Sequence, residues 1–213
     1  MKKILLLIIT IIFLTGCTEI NSLKYDDIVV NGVTKSFKYT NIYRKGYSYY
    51  LPKGIKLLDN TGVNDVLTDN QSYYYLYVDR ISYYKKAPNE YQKNNSAFYS
   101  NTYKFGNKIG YLQINALQND KYLIEIMYNY AKIEVIVDKY NMNSALAYST
   151  IVLSSIEYNN TVIKNLIEKK KTKFKEQEYN IFSTINADSN ILKYKGGYIE
   201  QDDNNLPDPD LID

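Results

Sequence analysis

The fold is decided by residues 110–138, which read GYLQINALQNDKYLIEIMYNYAKIEVIVD. Side chains alternate between two faces at period two in three consecutive runs of this stretch, which is typical of β-strands with one face toward a core. The connectors between the runs, Gln118–Asp120 and Asn129–Ala131, are short enough for hairpins. Residues 110–138 therefore predict an antiparallel meander sheet.

The spacing of apolar residues changes after Asp138 from the period of a strand to that of a helix. Apolar residues recur at helical spacing from Met142, which predicts a helix with Asn141 as its N-cap and an end near Ser155. A second helix is predicted over Asn160–Gln177. Further strand signals, rich in Tyr, Ile, Val and Phe, lie at Ser36–Tyr43, Tyr47–Leu51, Ile55–Leu58, Tyr73–Tyr84 and Ala97–Phe105. The expected fold class is α+β, with a meander sheet and one or two packed helices.

The N-terminus follows a different pattern from the rest of the chain. Lys2 and Lys3 precede the apolar run Ile4–Phe13, which leads into Leu14-Thr15-Gly16-Cys17 and the single cysteine of the chain. A retained transmembrane helix is the alternative, but the apolar run is shorter than the roughly 20 residues that span a bilayer. A basic start, a short apolar segment and a small residue before the break are typical of an export signal.

Leu14–Cys17 is similar to the lipobox of bacterial lipoproteins. The resemblance implies that residues 1–16 are a signal peptide and that Cys17, bearing a diacylglycerol, is the first mature residue. The protein is then expected at the cell membrane, lipid-anchored on the extracytoplasmic face. We expect residues 17–35 to form a tether, 36–180 a single α+β domain, and 181–213 a C-terminal extension.

Composition excludes several kinds of chemistry. The chain has 213 residues, one Cys and no His, so a lipidated Cys17 leaves no thiol, and catalysis or zinc binding through histidine is excluded. Without Lys2 and Lys3, 24 basic residues face 23 acidic ones, a net charge of +1. A nearly neutral chain disfavours a nucleic-acid partner. No sequence motif indicates a cofactor or a metal site, and none is expected.

Two segments resemble the PsbP/Mog1-like fold. Tyr47–Gly54 is similar to the opening strand and proline-glycine turn of that family. Lys132–Val137, followed by Ser144–Leu146 and Ile151–Ile156, is similar to its closing strand, helix and final short strand. The resemblance implies a PsbP/Mog1-like sandwich over about residues 36–158 and a binding or assembly role rather than catalysis.

Tyrosines are concentrated in the middle of the chain, which has 25 tyrosines in all. If Tyr73–Tyr84 is one strand, tyrosines lie on both of its faces, and the outward rings are candidates for stacking on a cell-wall glycan, a peptide or an envelope protein. The alternative is cross-strand packing, because tyrosine is a good strand former. The candidate binding residues are Tyr73, Tyr75, Tyr77, Tyr83 and Tyr84.

Three carboxylates lie on neighbouring predicted strands: Glu125, Glu134 and Asp138. A close pair of carboxylates could perform general acid and base catalysis. We expect them instead to be solvated charges on the outer face of the sheet, since no spacing rule links them.

Two charged segments close the chain. Residues 200–213 are acidic and contain two prolines; they lack the glycine and the closing glutamate of a calcium loop, so a disordered tail is expected. The lysines of Lys169–Lys175 are expected on a solvated helix face, with the acidic tail, anionic lipids or teichoic-type polymers as alternative partners.

These observations favour a non-enzymatic lipoprotein that acts as a binding or assembly adaptor for another envelope component. The alternative is a solute- or glycan-binding lipoprotein with a tyrosine-lined groove. A concave pocket with several tyrosines would favour the second hypothesis, and a flat apolar patch would favour the first.

Overall fold

The computed structural model describes residues 20–34, 39–60, 64–87 and 91–170. The helices in these ranges are α1 (Tyr25–Thr34), α2 (Arg80–Lys85), α3 (Met142–Ser154) and α4 (Asn160–Lys170), with 3-10 turns at Ile20–Ser22 and Lys139–Asn141. The strands are β1 (Ile42–Arg44), β2 (Tyr47–Tyr49), β3 (Lys56–Asn60), β4 (Asn64–Thr68), β5 (Tyr73–Val78), β6 (Tyr99–Phe105), β7 (Lys108–Ala116), β8 (Lys121–Tyr128), β9 (Ala131–Asp138) and β10 (Glu157–Tyr158). The chain is therefore an α+β protein, as its sequence predicts.

The main sheet has seven antiparallel strands in the order β3-β4-β5-β9-β8-β7-β6. Its strands β7, β8 and β9 are the meander predicted from residues 110–138, and the two predicted hairpins are confirmed. The separately predicted strand Ala97–Phe105 is β6, which pairs with β7 at the edge of the sheet. Asn129 and Tyr130 form the two-residue turn between β8 and β9 with φ of 50° and 66°, the left-handed conformation of a type I′ hairpin turn. A second sheet, β1-β2-β10, has three strands.

The core lies between one face of the main sheet and the helices α1 and α3. Leu112, Ile124 and Ile133, on three strands of the meander, are fully buried on this inner face. Leu146 of α3 is fully buried against the same cluster. The alternation in the sequence therefore places the apolar set of each strand under the helices.

The predicted tether over residues 17–35 is wrong for its described part. Residues Tyr25–Thr34 form α1, in which Ile28 and Val29 are buried in the core. Asn31-Gly32 lies inside this helix, although an Asn-Gly pair is typical of turns. A glycine is needed at position 32 for packing and not for a turn, because a Cβ there would lie 2.3 Å from the Thr150 methyl carbon on α3. The missing side chain thus lets α1 and α3 pack closely.

A further contact ties α1 to the edge of the sheet. Asp26 accepts hydrogen bonds from Tyr99, from Asn101 (2.9 Å) and from Tyr103 (2.7 Å), all on β6. Burial opposes ionisation, but these hydrogen bonds hold the pKa of Asp26 below its usual range.

The predicted strand Tyr73–Tyr84 is wrong in its second half. β5 ends at Val78, and Asp79 then caps α2 by accepting a hydrogen bond from the backbone N–H of Ser82 at 2.8 Å. An aspartate at this position accepts a hydrogen bond from a helix N–H that would otherwise be unpaired, and this stabilises the start of the helix. The strand propensity of the following tyrosines does not outweigh that stabilisation. β4 was not predicted at all, because Asn64–Thr68 mixes polar with apolar residues although all five are buried.

The predicted helix after Asp138 is confirmed as α3, and Asn141 directly precedes it. The Asn141 side chain makes no cap hydrogen bond and donates instead to the Gln71 side chain at 3.0 Å. The second predicted helix is described as far as Lys170, with Ile163 buried. Its predicted continuation to Gln177 lies outside the described residues.

One buried ion pair connects the two sheets. Arg44 Nε of β1 donates to Asp65 Oδ1 of β4 at 2.9 Å, and the Tyr49 hydroxyl donates to Asp65 Oδ2 at 2.6 Å. Asp65 is 1% exposed and therefore has little contact with water. The Arg44 guanidinium and the Tyr49 hydroxyl replace that contact and stabilise the buried carboxylate.

Candidate functional site

The outer face of the main sheet, the face turned away from α3, contains a buried carboxyl pair. Glu125 of β8 and Glu134 of β9 are directly opposite each other in the strand register. They are 4% and 9% exposed. The expectation that both are solvated is therefore wrong. The third predicted carboxylate, Asp138, is half-exposed and pairs with Lys121 at 2.8 Å, as expected for a surface charge.

One lysine lies between the two carboxyls. Lys132 Nζ donates to Glu134 Oε1 at 2.8 Å and lies 4.0 Å from Glu125 Oε2. A single ammonium group cannot neutralise two carboxylates. Burial, the strongest influence, together with a hydrogen bond and repulsion from Glu125, outweighs Lys132 and raises the pKa of Glu134 to about 7. The pair can therefore hold a proton near neutral pH.

Glu125 has a second partner on the neighbouring strand. The Tyr111 hydroxyl donates to Glu125 Oε1. Burial, and then the charge of Glu125, raises the pKa of Tyr111 far above its ordinary value. Tyr111 therefore keeps its proton and acts as a hydrogen-bond donor throughout the physiological range.

A segment preceding β6 covers this part of the outer face. The Tyr91 ring is stacked on Tyr111 with centroids 3.8 Å apart and ring planes 4° apart. The Tyr91 hydroxyl donates to Gln113 Oε1 at 2.8 Å and lies 2.8 Å from Ser100 Oγ. Ser100 Oγ also accepts from the backbone N–H of Asn94 at 3.0 Å. These contacts explain how polar groups of the outer face become buried without losing hydrogen bonds.

A pocket of about 280 Å³ opens beside the tyrosine stack. Its lining residues are Tyr91, Thr102, Tyr103, Lys104, Ile109, Gly110 and Tyr111. The hydroxyls of the three tyrosines are already bonded to Gln113, Asp26 and Glu125. Tyr103 is turned to the inner face of β6, toward Asp26, so Tyr91 and Tyr111 are the tyrosine side chains on the outer-face side of the pocket, where Thr102 and Lys104 add a hydroxyl and an ammonium group. The carboxyl pair does not line the pocket and is separated from it by Tyr111.

The predicted tyrosine platform is divided between two elements. Tyr73, Tyr75 and Tyr77 lie on the outer face of β5, and Tyr75 and Tyr77 are opposite Glu134 and Lys132 in the register. Tyr73 is 49% exposed, whereas Tyr75 and Tyr77 are half-buried. The structure thus brings this row of tyrosines against the carboxyl pair, two features that the sequence presents separately.

The other two tyrosines of the predicted platform lie on α2. Tyr83 is stacked on Tyr158 with ring centroids 3.7 Å apart and contacts Tyr130 edge-on at 5.9 Å. Tyr84 is 37% exposed. Tyr83 therefore packs inside the protein, and α2 does not extend the row formed on β5.

Sequence reasoning missed the pocket residues, although a signal for the buried outer face was available. β8 has apolar residues on both faces, since Leu123 and Met127 flank Glu125 on the outer side. Apolar residues on both faces of a strand are typical of a sheet that is covered on both sides. Nothing in the sequence indicates that Tyr91, which precedes β6, lies over Tyr111.

Several predicted features lie outside the described residues. They are the lipobox with Cys17, lysines 171–175 and the acidic residues 200–213. No helix within the described ranges is both long and apolar enough to cross a bilayer. Comparison of the chain with protein-family models, with curated proteins and with solved structures finds no match.

Proposed function

We propose that the protein is a lipoprotein anchored by acylated Cys17 on the extracytoplasmic face of the cell membrane, and that its domain binds a small solute or glycan of the cell envelope. The observation that supports this most directly is the outer-face pocket of about 280 Å³ beside the stacked rings of Tyr91 and Tyr111. A concave site with aromatic walls and a few polar groups is typical of small-molecule recognition.

The arrangement of the pocket supports a ligand with a flat, weakly polar ring face. Tyr91 can present the ring face that is not stacked on Tyr111, while Lys104 and Thr102 can contact polar or anionic substituents. The volume lies just below the range of about 300–1,000 Å³ for ligand sites, so one sugar ring of a cell-wall glycan is a suitable occupant.

A binding role rather than catalysis is supported by the position of the acids. Glu125 and Glu134 could serve as general acid and base only if a substrate reached them. Tyr111 separates Glu125 from the pocket, and Lys132 is engaged with Glu134. We propose further that the domain is PsbP/Mog1-like, supported by the order of β9, α3 and β10.

Binding can be tested with the two amino sugars of peptidoglycan, N-acetylglucosamine and N-acetylmuramic acid, by calorimetric titration of the mature chain. The exposed Thr102 lies on edge strand β6 and lines the pocket, so Thr102→Trp is expected to fill the pocket and abolish binding. Thr161→Trp, at an exposed position of α4, is the matched control and should bind as the parent does. Absence of binding of both sugars to the parent chain would count against a glycan ligand.

The anchor can be tested separately by metabolic labelling with a radioactive fatty acid. Cys17→Ala should remove the label and release the protein from the membrane fraction. Thr18→Ala, next to the acylation site, should retain both. A labelled Cys17→Ala chain would refute the lipoprotein assignment.

An assembly adaptor is the second candidate, and a different surface supports it. Tyr73 and Ile136 are neighbours on β5 and β9 and are 49% and 37% exposed. A photo-crosslinking residue at Tyr73 should then attach one envelope protein in intact cells. The same residue at Tyr84, on α2, is the control, and equal attachment at both positions would refute a specific contact.

A further inference from the structure

One end of the domain is held close to the point where the chain leaves for Cys17. We define the proximal end as residues 20–24, 98, 117–121 and 139–141, and the distal end as the turns at 106–107 and 129–130. Asn143 Nδ2, in the first turn of α3, donates to the backbone carbonyls of Ile20 at 2.8 Å and Leu23 at 3.0 Å. The start of the described chain is thus fixed to the α3 N-terminus.

Chain length then limits the distance between this end and Cys17. Ile20 is three residues after Cys17, and three residues span at most about 11 Å. The helical state of residues 25–34 matters here, because a flexible tether in this part of the chain would leave the orientation of the domain free. With α1 packed into the core, whatever holds Cys17 also holds the proximal end.

The proximal end exposes aromatic side chains of the kind found at membrane interfaces. Tyr140 is 77% exposed and Phe98 is 49% exposed, with the Phe98 ring 5.0 Å from the ring of Tyr122 at the start of β8. Tyrosine is enriched at the level of lipid headgroups, where its ring contacts apolar lipid and its hydroxyl can form hydrogen bonds with headgroups or water.

Charge at the proximal end is weakly basic, with three lysines and one aspartate inside it and Asp138 directly before it. Lys24 and Lys139 are exposed, and Lys121 pairs with Asp138, while Asp120 is an exposed acid. Electrostatic attraction to anionic lipid is therefore a minor contribution, and the aromatic side chains and the anchor are the main ones.

We propose that the proximal end of the domain rests on the bilayer surface, with Tyr140 and Phe98 at the headgroup level, so that the pocket faces away from the membrane. The inference rests on the proposed acylation of Cys17. The pocket residues Ile109 and Gly110 are near the distal start of β7, whose nine residues span about 27 Å. A ligand in the pocket would consequently be met on the cell-wall side of the protein.

The chain contains no tryptophan and one cysteine, which makes a direct test possible. The mature chain beginning at Cys17 is coupled through its thiol to a maleimide lipid in phosphatidylcholine–phosphatidylglycerol vesicles. Tyr140→Trp and Phe98→Trp place a fluorescent reporter at the proximal end. Tyr43→Trp is the matched control, because Tyr43 is 72% exposed and its β1–β2 turn contacts Arg80, beyond the distal end of β5.

Brominated phospholipid is expected to quench most of the tryptophan emission in Tyr140→Trp and Phe98→Trp and little in Tyr43→Trp. Equal quenching at all three positions, stronger quenching at position 43, or no quenching at either proximal position would overturn the proposal. Because coupling is chemical, the result is independent of acylation in cells. Failure of fatty-acid labelling would refute the anchor, whereas failure of quenching would refute only the bilayer contact.

Discussion

Neutralising Glu134 should change how the stability of the protein depends on pH. The pKa of Glu134 is about 7 in the folded protein, against an ordinary value of 4.5. Between these values the folded chain retains a proton that the unfolded chain has released, so the free energy of unfolding falls as pH rises. The stabilisation is complete below about pH 4.5 and lost above about pH 7, and the difference corresponds to about 3 kcal/mol.

Glu134→Gln removes the titrating group while keeping its shape. Its free energy of unfolding should be nearly constant from about pH 5 to 8. At pH 8 the variant should be more stable than the parent by up to about 3 kcal/mol, because Lys132 then faces a single carboxylate, that of Glu125. Urea unfolding followed by circular dichroism measures this directly. The chain has no histidine, so no other side chain has an ordinary pKa in this range.

Glu157→Gln is the matched control. Glu157 is an exposed glutamate on β10, and its replacement should leave the pH dependence of the parent unchanged. A parent protein whose free energy of unfolding stays constant or rises from about pH 5 to 8 would refute the reasoning. So would a Glu134→Gln variant with the same slope as the parent.

Three other substitutions test the packing around the site, each by urea unfolding. Asp26→Asn should cost about 1–3 kcal/mol, because the charged acceptor of three side chains on β6 is lost; unchanged stability would contradict that role. Gly32→Ala should cost about 1–3 kcal/mol through the clash with the Thr150 methyl group, and Thr150→Ser should recover part of the loss; an equal loss in both backgrounds would exclude that clash. Tyr111→Phe should cost about 1–3 kcal/mol at pH 8, since Glu125 loses a buried donor; a cost no larger than that of Tyr43→Phe would argue against it.

Parts of the fold follow directly from local sequence. The meander from β7 to β9 and the helix α3 are predicted within one residue at most boundaries, because their periods of two and 3.6 are regular and one face of each is apolar. The strand predicted over Tyr73–Tyr84 is wrong after Val78, because tyrosine occurs both in exposed strands and in packed helices. The decisive signal is the single cap residue Asp79.

The site was harder to predict than the fold. Glu125 and Glu134 look like solvated charges because burial of an outer face depends on what covers it. Here Tyr91, 34 positions before Glu125 in the chain, is joined to β7 by hydrogen bonding and stacking and covers Tyr111, the hydrogen-bond donor to Glu125. No local pattern encodes a contact of that kind. The predicted tether over residues 17–35 is wrong for the same reason, because residues 25–34 become helical and buried through contact with α3.

Local sequence and composition establish the α+β class, the alternating faces of the meander, the start of α3 and the absence of histidine chemistry, because these depend on residue content and on neighbours within one or two turns. Long-range contacts are needed to make two glutamates share one lysine, to stack Tyr91 on Tyr111 beside a pocket, and to bring α1 into the core. These outcomes require residues distant in the chain to exclude water together, and the cost of burying a charge depends on all of them at once.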